Sequence, residues 1–217
     1  MRNFHIKICG ITTVADALAA RDLGADAIGL NFYAKSLRGI AVEEARKISI
    51  AVGDSVEKVG VFVNATPDFI KTVVREAGLD AAQLHGDESP DFARSLSGLP
   101  LIRAIRFDSP DRVQAEVNEW TRVSVSAVLL DAAVAGHYGG SGTAFEWQQV
   151  KQIQHSVPIV LAGGLNPANV ANAICTAEPD AVDVASGVEC FPGGKDKQLL
   201  RQFIEAANQA FGESKSP

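Results

Sequence analysis

A thiol, a carboxyl and three glycine-rich turns lie along this chain at the spacing of strand ends. Together they could move protons on an anionic small molecule. The thiol is Cys9, which closes Lys7-Ile8-Cys9-Gly10, and the carboxyl is Asp131, which closes Ser126-Ala127-Val128-Leu129-Leu130-Asp131. Alternation along the first run puts His5, Lys7 and Cys9 on one face and Phe4, Ile6 and Ile8 on the other. The apolar face is expected against helices, so Lys7 and Cys9 are expected to point into a shared mouth. A free thiol titrates near ~8.5 and a neighbouring ammonium lowers that value. Lys7 would then favour a thiolate at Cys9, acting as base or nucleophile. A buried, inert cysteine is an equally open reading. In the later run, Ala127, Leu129 and Asp131 share a face opposite Val128 and Leu130. Desolvation there suits a general acid, although an aspartate that only ties down the following loop fits the same position.

The first glycine turn, Gly139-Gly140-Ser141-Gly142-Thr143, precedes a helix expected near Phe145, and converging N–H groups there suit an anion. The others are Ala162-Gly163-Gly164-Leu165 and Ser186-Gly187-Val188. In barrels, the loops after strands seven and eight frequently hold phosphate, while ordinary turns also need glycine. Arg38, in Lys35-Ser36-Leu37-Arg38, could fork onto a carboxylate or be a solvated loop charge. His85, in Gln83-Leu84-His85-Gly86, has no second histidine near it in sequence, so a supporting or wall role is preferred to a metal pair.

The elements that must position these groups alternate. Strand-like runs are expected at 4–9, 27–32, 58–63, 81–85, 101–106, 127–131, 159–162 and 181–185. Helical patterns lie at about 13–23, 42–52, 67–77, 89–97, 110–119, 145–154, 167–175 and 196–211. Thr12 or Thr13 can cap the first helix, and Pro67 and Pro167 suit first helical positions. Strand followed by helix throughout implies parallel strands joined by crossovers. The segments Gly24-Ala25-Asp26-Ala27, Gly78-Leu79-Asp80-Ala81 and Glu178-Pro179-Asp180-Ala181 echo one another at multiples of a strand–helix unit. The fold class expected is α/β, a single (β/α)8 TIM barrel spanning 1–217; an open doubly wound sheet is the alternative. The stretch 132–144 is long for a loop without a functional reason.

Composition narrows the function classes. The chain has 217 residues, net charge −6 and pI near 5.2, so nucleic acid is not an expected partner. No apolar run reaches the ~18 residues of a membrane span, and the N-terminus has no signal-like apolar region. The cysteines are Cys9, Cys175 and Cys190, too scattered for a disulfide framework or zinc site, which favours a reducing cytoplasm. No metal site is expected from these spacings.

Taken together, Lys7-Ile8-Cys9-Gly10-Ile11, Gln83-Leu84-His85-Gly86, Leu130-Asp131 with Gly139-Gly140-Ser141-Gly142, Leu161-Ala162-Gly163-Gly164-Leu165 and Val182-Asp183-Val184-Ala185-Ser186-Gly187-Val188-Glu189 resemble the signatures of the phosphoribosylanthranilate isomerase family over nearly the whole chain. The resemblance implies a cofactor-free barrel. Its reaction opens the furanose ring of N-(5-phosphoribosyl)anthranilate and rearranges it to an open-chain amino-ketose, in tryptophan biosynthesis. It implies Cys9 as general base and Asp131 as general acid, with Arg38 near the anthranilate carboxylate. Lys7, His85, Gly140, Gly142, Gly163, Gly164, Asp183, Ser186 and Gly187 are implied around the rest of the substrate. The partners implied are a small phosphorylated substrate, no nucleic acid, no membrane, and at most a second copy of the chain, as monomer or homodimer. Leu37 stands where the family usually has proline and Ala185 where serine is usual. Other phosphosugar barrel enzymes and a catalytically silent phosphate-binding module are the competing readings.

Overall fold

The computed structural model describes residues 4–123, 125–132 and 147–214. Eight parallel strands close into a barrel in sequence order: β1 (Ile6–Cys9), β2 (Ala27–Asn31), β3 (Glu57–Phe62), β4 (Ala81–Leu84), β5 (Leu101–Phe107), β6 (Ala127–Ala132), β7 (Ile159–Leu161) and β8 (Ala181–Val184). The barrel expectation is therefore met and the open sheet excluded, because β8 pairs back onto β1 with Lys7 opposite Asp183.

Helices α1 (Val14–Asp22), α2 (Val42–Val52), α3 (Pro67–Ala77), α4 (Pro90–Arg94), α5 (Pro110–Thr121), α6 (Val170–Ala177) and α7 (Lys197–Ser214) link the strands. Their starts follow local chemistry. The Thr13, Thr66 and Ser89 hydroxyls accept the N–H groups of Asp16, Phe69 and Phe92, and Pro67 and Pro90 occupy first-turn positions where no N–H is needed. Thr13 is the cap of α1; the Thr12 hydroxyl instead donates to the Gly193 carbonyl.

Three expectations are corrected. The first strand begins at Ile6, not at residue 4, so alternation does not extend to Phe4 and His5. Phe4 joins the core inside the barrel, and the His5 ring lies against Phe211 on α7. The helix expected at 145–154 is, among the described residues, a 3-10 segment at Trp147–Gln152. The helix expected from Pro167 begins at Val170, after a turn in which Asn169 accepts the Asn166 N–H. A short hairpin, β9 (Glu189–Phe191) with β10 (Gly194–Lys195), was not foreseen.

The echoing aspartates turn out to be one repeated device. Asp26, Asp80 and Asp180 each precede an even-numbered strand and accept backbone N–H groups within one residue of the start of the strand before it, from His5 and Ile6, from Lys58 and from Ile159 respectively. A parallel strand's first donors have no ladder partner there, and a buried donor left unpaired is costly.

Two cores result from strand alternation. Ile8, Ile28, Val128 and Leu130 face the helices, while Ala127, Leu129, Ile102, Val160 and Phe4 fill the barrel. The inner core is apolar in its lower part and gives way to Lys7, Gln83, Asp131 and Asp183 toward the strand C-termini. No helix among the described residues is long and apolar enough to cross a membrane.

Candidate functional site

A cavity of about 390 Å³ opens at the C-terminal ends of the strands, where barrels place their reactive groups. Cys9, Arg38, His85, Asp131, Gly163, Gly164, Asp183 and Ser186 line it. Most of the singled-out residues thus meet in one place. Lys7 does not line the cavity; it lies fully buried on the same face of β1 as Cys9. Gly187 does not line it either, and its role there is close approach, because a Cβ would run into the Leu165 carbonyl of the neighbouring loop. Gly163 and Gly164 take left-handed backbone angles, φ 84° and 65°, which suit glycine. Gly140 and Gly142 lie outside the described residues. Two other polar residues at strand ends, Arg106 and Asn64, are not among the residues that line the cavity.

Cys9 ends β1 opposite Gly29 of β2. That glycine makes the position possible: a Cβ on Gly29 would sit 2.6 Å from the Cys9 Sγ and 3.1 Å from the Lys7 Nζ. Lys7 Nζ donates to Asp183 Oδ1 at 2.8 Å across the β1–β8 seam. Burial pushes the Lys7 ammonium down, but the Asp183 carboxylate and Cys9 together outweigh it and the net shift is upward. For Cys9 the net shift is also upward. Burial dominates and the Asp183 charge adds to it, while Lys7 and Lys195 only partly offset them. The expectation that Lys7 alone would favour a thiolate is therefore only partly met: Lys7 pulls that way, and burial wins in the resting site.

A second charged group braces the same side. Lys195 Nζ, on β10, donates to the Cys9 carbonyl at 2.6 Å, the Ala185 carbonyl at 3.0 Å and Glu189 Oε1 at 2.8 Å. Arg38 forks onto Glu189, Nε to Oε1 at 2.8 Å and Nη2 to Oε2 at 2.7 Å. Burial alone would raise the Glu189 carboxyl, yet Arg38 and Lys195 hold it below the usual range. Burial brings Lys195 down despite Glu189. The turn carrying Arg38 is organised by Asn31, whose side chain accepts the Tyr33 N–H and donates to Ser36 Oγ, which accepts the Arg38 N–H. These ties hold the loop although Leu37 is 78% exposed.

Across the cavity, His85 Nε2 lies 3.4 Å from Asp131 Oδ2, and His85 Nδ1 lies 3.0 Å from the Gln83 amide nitrogen. The turn after His85 is clamped from outside the barrel. Glu88 accepts the N–H groups of Asn64 and Gly86, and Arg103 donates to the Gly86 carbonyl and to Glu88 while stacking on Trp120 at 4.7 Å.

Gly29, Gln83, Glu189 and Lys195 escaped assignment from the sequence. Gln83 and Glu189 stood inside the recognised motifs, and Lys195 closes Gly193-Gly194-Lys195. Only strand register distinguishes Gly29 from any other glycine in a strand.

The family model described as N-(5'phosphoribosyl)anthranilate (PRA) isomerase matches residues 6–206. The N-(5'-phosphoribosyl)anthranilate isomerase of Cellvibrio japonicus is 45% identical over 216 residues, covering 100% of this chain and 99% of its own. The crystal structure of phosphoribosyl anthranilate isomerase from Thermotoga maritima has a TM-score of 0.84 and 38% identity, over 95% of this chain and 99% of that one. A phosphoribosyl anthranilate isomerase in complex with reduced 1-(o-carboxyphenylamino)-1-deoxyribulose 5-phosphate has a TM-score of 0.80 and 37% identity, over 95% of this chain and 99% of that one.

Proposed function

This chain belongs to the N-(5'-phosphoribosyl)anthranilate isomerase family, and from that premise we propose that Cys9 is the base and Asp131 the acid of its isomerisation. The enzyme converts N-(5'-phosphoribosyl)anthranilate to 1-(2-carboxyphenylamino)-1-deoxyribulose 5-phosphate in tryptophan biosynthesis. The observation that carries the assignment is the placement of a thiol and a carboxyl in the wall of one cavity whose other wall is built from the loops after β7 and β8.

In this reading Asp131 donates a proton to the furanose ring oxygen. The anilino nitrogen lone pair forms the C=N bond as the carbon–oxygen bond breaks, leaving a cationic Schiff base. That positive charge favours a thiolate at Cys9, whose resting thiol burial holds up. The thiolate then removes the proton from the adjacent sugar carbon, giving an enolamine that tautomerises to the ketone. Gly163, Gly164, Ser186 and Gly187 form the phosphate end, and the sequence motif containing Gly140 and Gly142 is assigned to the same phosphate. The fork from Arg38 to Glu189 uses Nε and Nη2, so Nη1 is the donor offered to the anthranilate carboxylate. Lys7 and Asp183 set the charge under Cys9, and His85 supports Asp131. Three unpaired cysteines suit a reducing cytoplasm.

Purified Cys9→Ser and Asp131→Asn should each lose ~10²–10⁴-fold in turnover while still binding a reduced product analogue. Turnover is followed by loss of anthranilate-type fluorescence. Near-normal turnover in either variant removes that residue from the mechanism.

A further inference from the structure

Gln83 stands two residues before His85 on β4, on the same inward face, and is fully buried. Its amide nitrogen meets His85 Nδ1 at 3.0 Å, while its Oε1 has no hydrogen-bond partner among the described residues. A buried acceptor left unpaired forfeits its hydration without compensation. Such a group inside a packed barrel calls for a reason that packing does not supply. The next link is on the page: the opposite ring nitrogen of His85 faces Asp131 Oδ2 at 3.4 Å.

We propose that Gln83 is a positioning residue that fixes the tautomer of His85 and, through it, selects which oxygen of Asp131 faces the substrate. The proposal rests on Asp131 being the acid. An amide N–H can only donate, so Nδ1 must accept, and the ring proton is left on Nε2. His85 therefore presents an N–H to Oδ2. The distance is longer than an ordinary hydrogen bond, and such contacts commonly tighten when substrate fills a site. Asp131 lines the cavity, and with Oδ2 turned to His85 Oδ1 is the oxygen left to carry the proton to the ring oxygen. With the other tautomer a bare Nε2 would face the carboxyl and compete for that proton. No net proton is consumed, because the imidazole keeps one N–H throughout.

The test is a long-range 1H–15N correlation spectrum of the histidine rings in the labelled wild-type enzyme, with His85 identified by its loss in His85→Asn. The expected result is the Nε2–H tautomer; the Nδ1–H tautomer in the wild type overturns the proposal without any variant having to fold. Gln83→Met, which keeps the volume and removes the amide, should show mixed tautomers and a kcat lowered roughly tenfold with KM little changed. Gln83→Glu, which can only accept while ionised, should force the Nδ1–H form and lower kcat further. A wild-type tautomer and kcat in Gln83→Met also overturn the proposal. Full activity in Asp131→Asn would instead defeat the acid assignment while leaving the tautomer result standing, so the two failures are separable.

Discussion

On the β8–β1–β2 side of the mouth, the groups around Cys9 are charged and paired: Lys7 with Asp183, and both Lys195 and Arg38 with Glu189. On the β4–β6 side, Asp131 meets an imidazole, and the imidazole meets an amide. The first arrangement controls the energy of a charge at the thiol. The second suits control of direction, because uncharged groups are lined up one behind another toward a single carboxyl. The difference follows from what each reacting group must do in the proposed mechanism. A base must be able to become negative in a buried place, so opposing charges are assembled around it. An acid must hold its proton toward one atom, which is a matter of orientation.

Several substitutions would break or sharpen this contrast. The largest effect beyond the reacting pair is expected at Gly29, whose added methyl has nowhere to go but against Sγ of Cys9 and Nζ of Lys7. Gly29→Ala should lower kcat/KM by about 10²-fold, as a misplaced reacting group does. Overpacking should cost ~1–3 kcal/mol in urea unfolding. If turnover survives, the thiol tolerates displacement and the charged side does not need its geometry.

Next in size is Glu189→Gln, which leaves Lys195 buried without its counter-charge. Breaking such a pair costs about 3–5 kcal/mol, read as a shift in denaturation midpoint. The substrate KM should also rise as Arg38 loses its anchor. Unchanged stability would mean that Lys195 is held by the Cys9 and Ala185 carbonyls alone.

A smaller but more diagnostic effect is expected in thiol reactivity. Asp183 pushes the Cys9 thiol up and Lys7 pulls it down. Asp183→Asn should therefore speed alkylation of Cys9 at mildly alkaline pH, and Lys7→Met should slow it. Mass spectrometry must read the Cys9 peptide alone, because Cys175 and Cys190 are exposed. Shifts in the same direction for both would refute the electrostatic description of this side.

The smallest effect is on the pH dependence of stability. The folded Cys9 keeps its proton at pH values where an unfolded thiol, with its midpoint near ~8.5, has released it. The unfolded chain then binds fewer protons, so stability falls as pH rises through that window. Cys9→Ser should flatten the fall between about pH 8 and pH 10. Lys7 is also shifted upward, so its contribution remains below the ordinary lysine midpoint and is lost only above it. An unaltered slope in Cys9→Ser would show that the thiol does not carry the effect.

Much of the site could be read along the chain. Cys9, His85 and Asp131 stand at the ends of apolar runs, and strand alternation sends all three to one face without reference to anything distant. Gly163, Gly164 and Ser186 mark turns after strands and line the cavity. Alternation failed at Phe4 and His5 because the strand starts two residues later, where Asp26 receives the N–H groups of His5 and Ile6. It also said nothing of the hairpin after β8, whose Lys195 reaches back to Cys9 across 186 residues of chain. Arg38 looked like a loop charge waiting for a ligand; its carboxylate partner, Glu189, is 151 residues away.

By itself, then, the amino-acid order determined the repeated strand–helix units, the aspartates that tie them and the polar residues at the strand tips, because hydrophobic periodicity and turn chemistry act over a few residues. Only the closed barrel decided which charges pair, that Gly29 leaves room for the thiol, and that burial outweighs Lys7 at Cys9. Those outcomes depend on register between strands and on removal from water, and neither quantity exists until the chain has closed on itself.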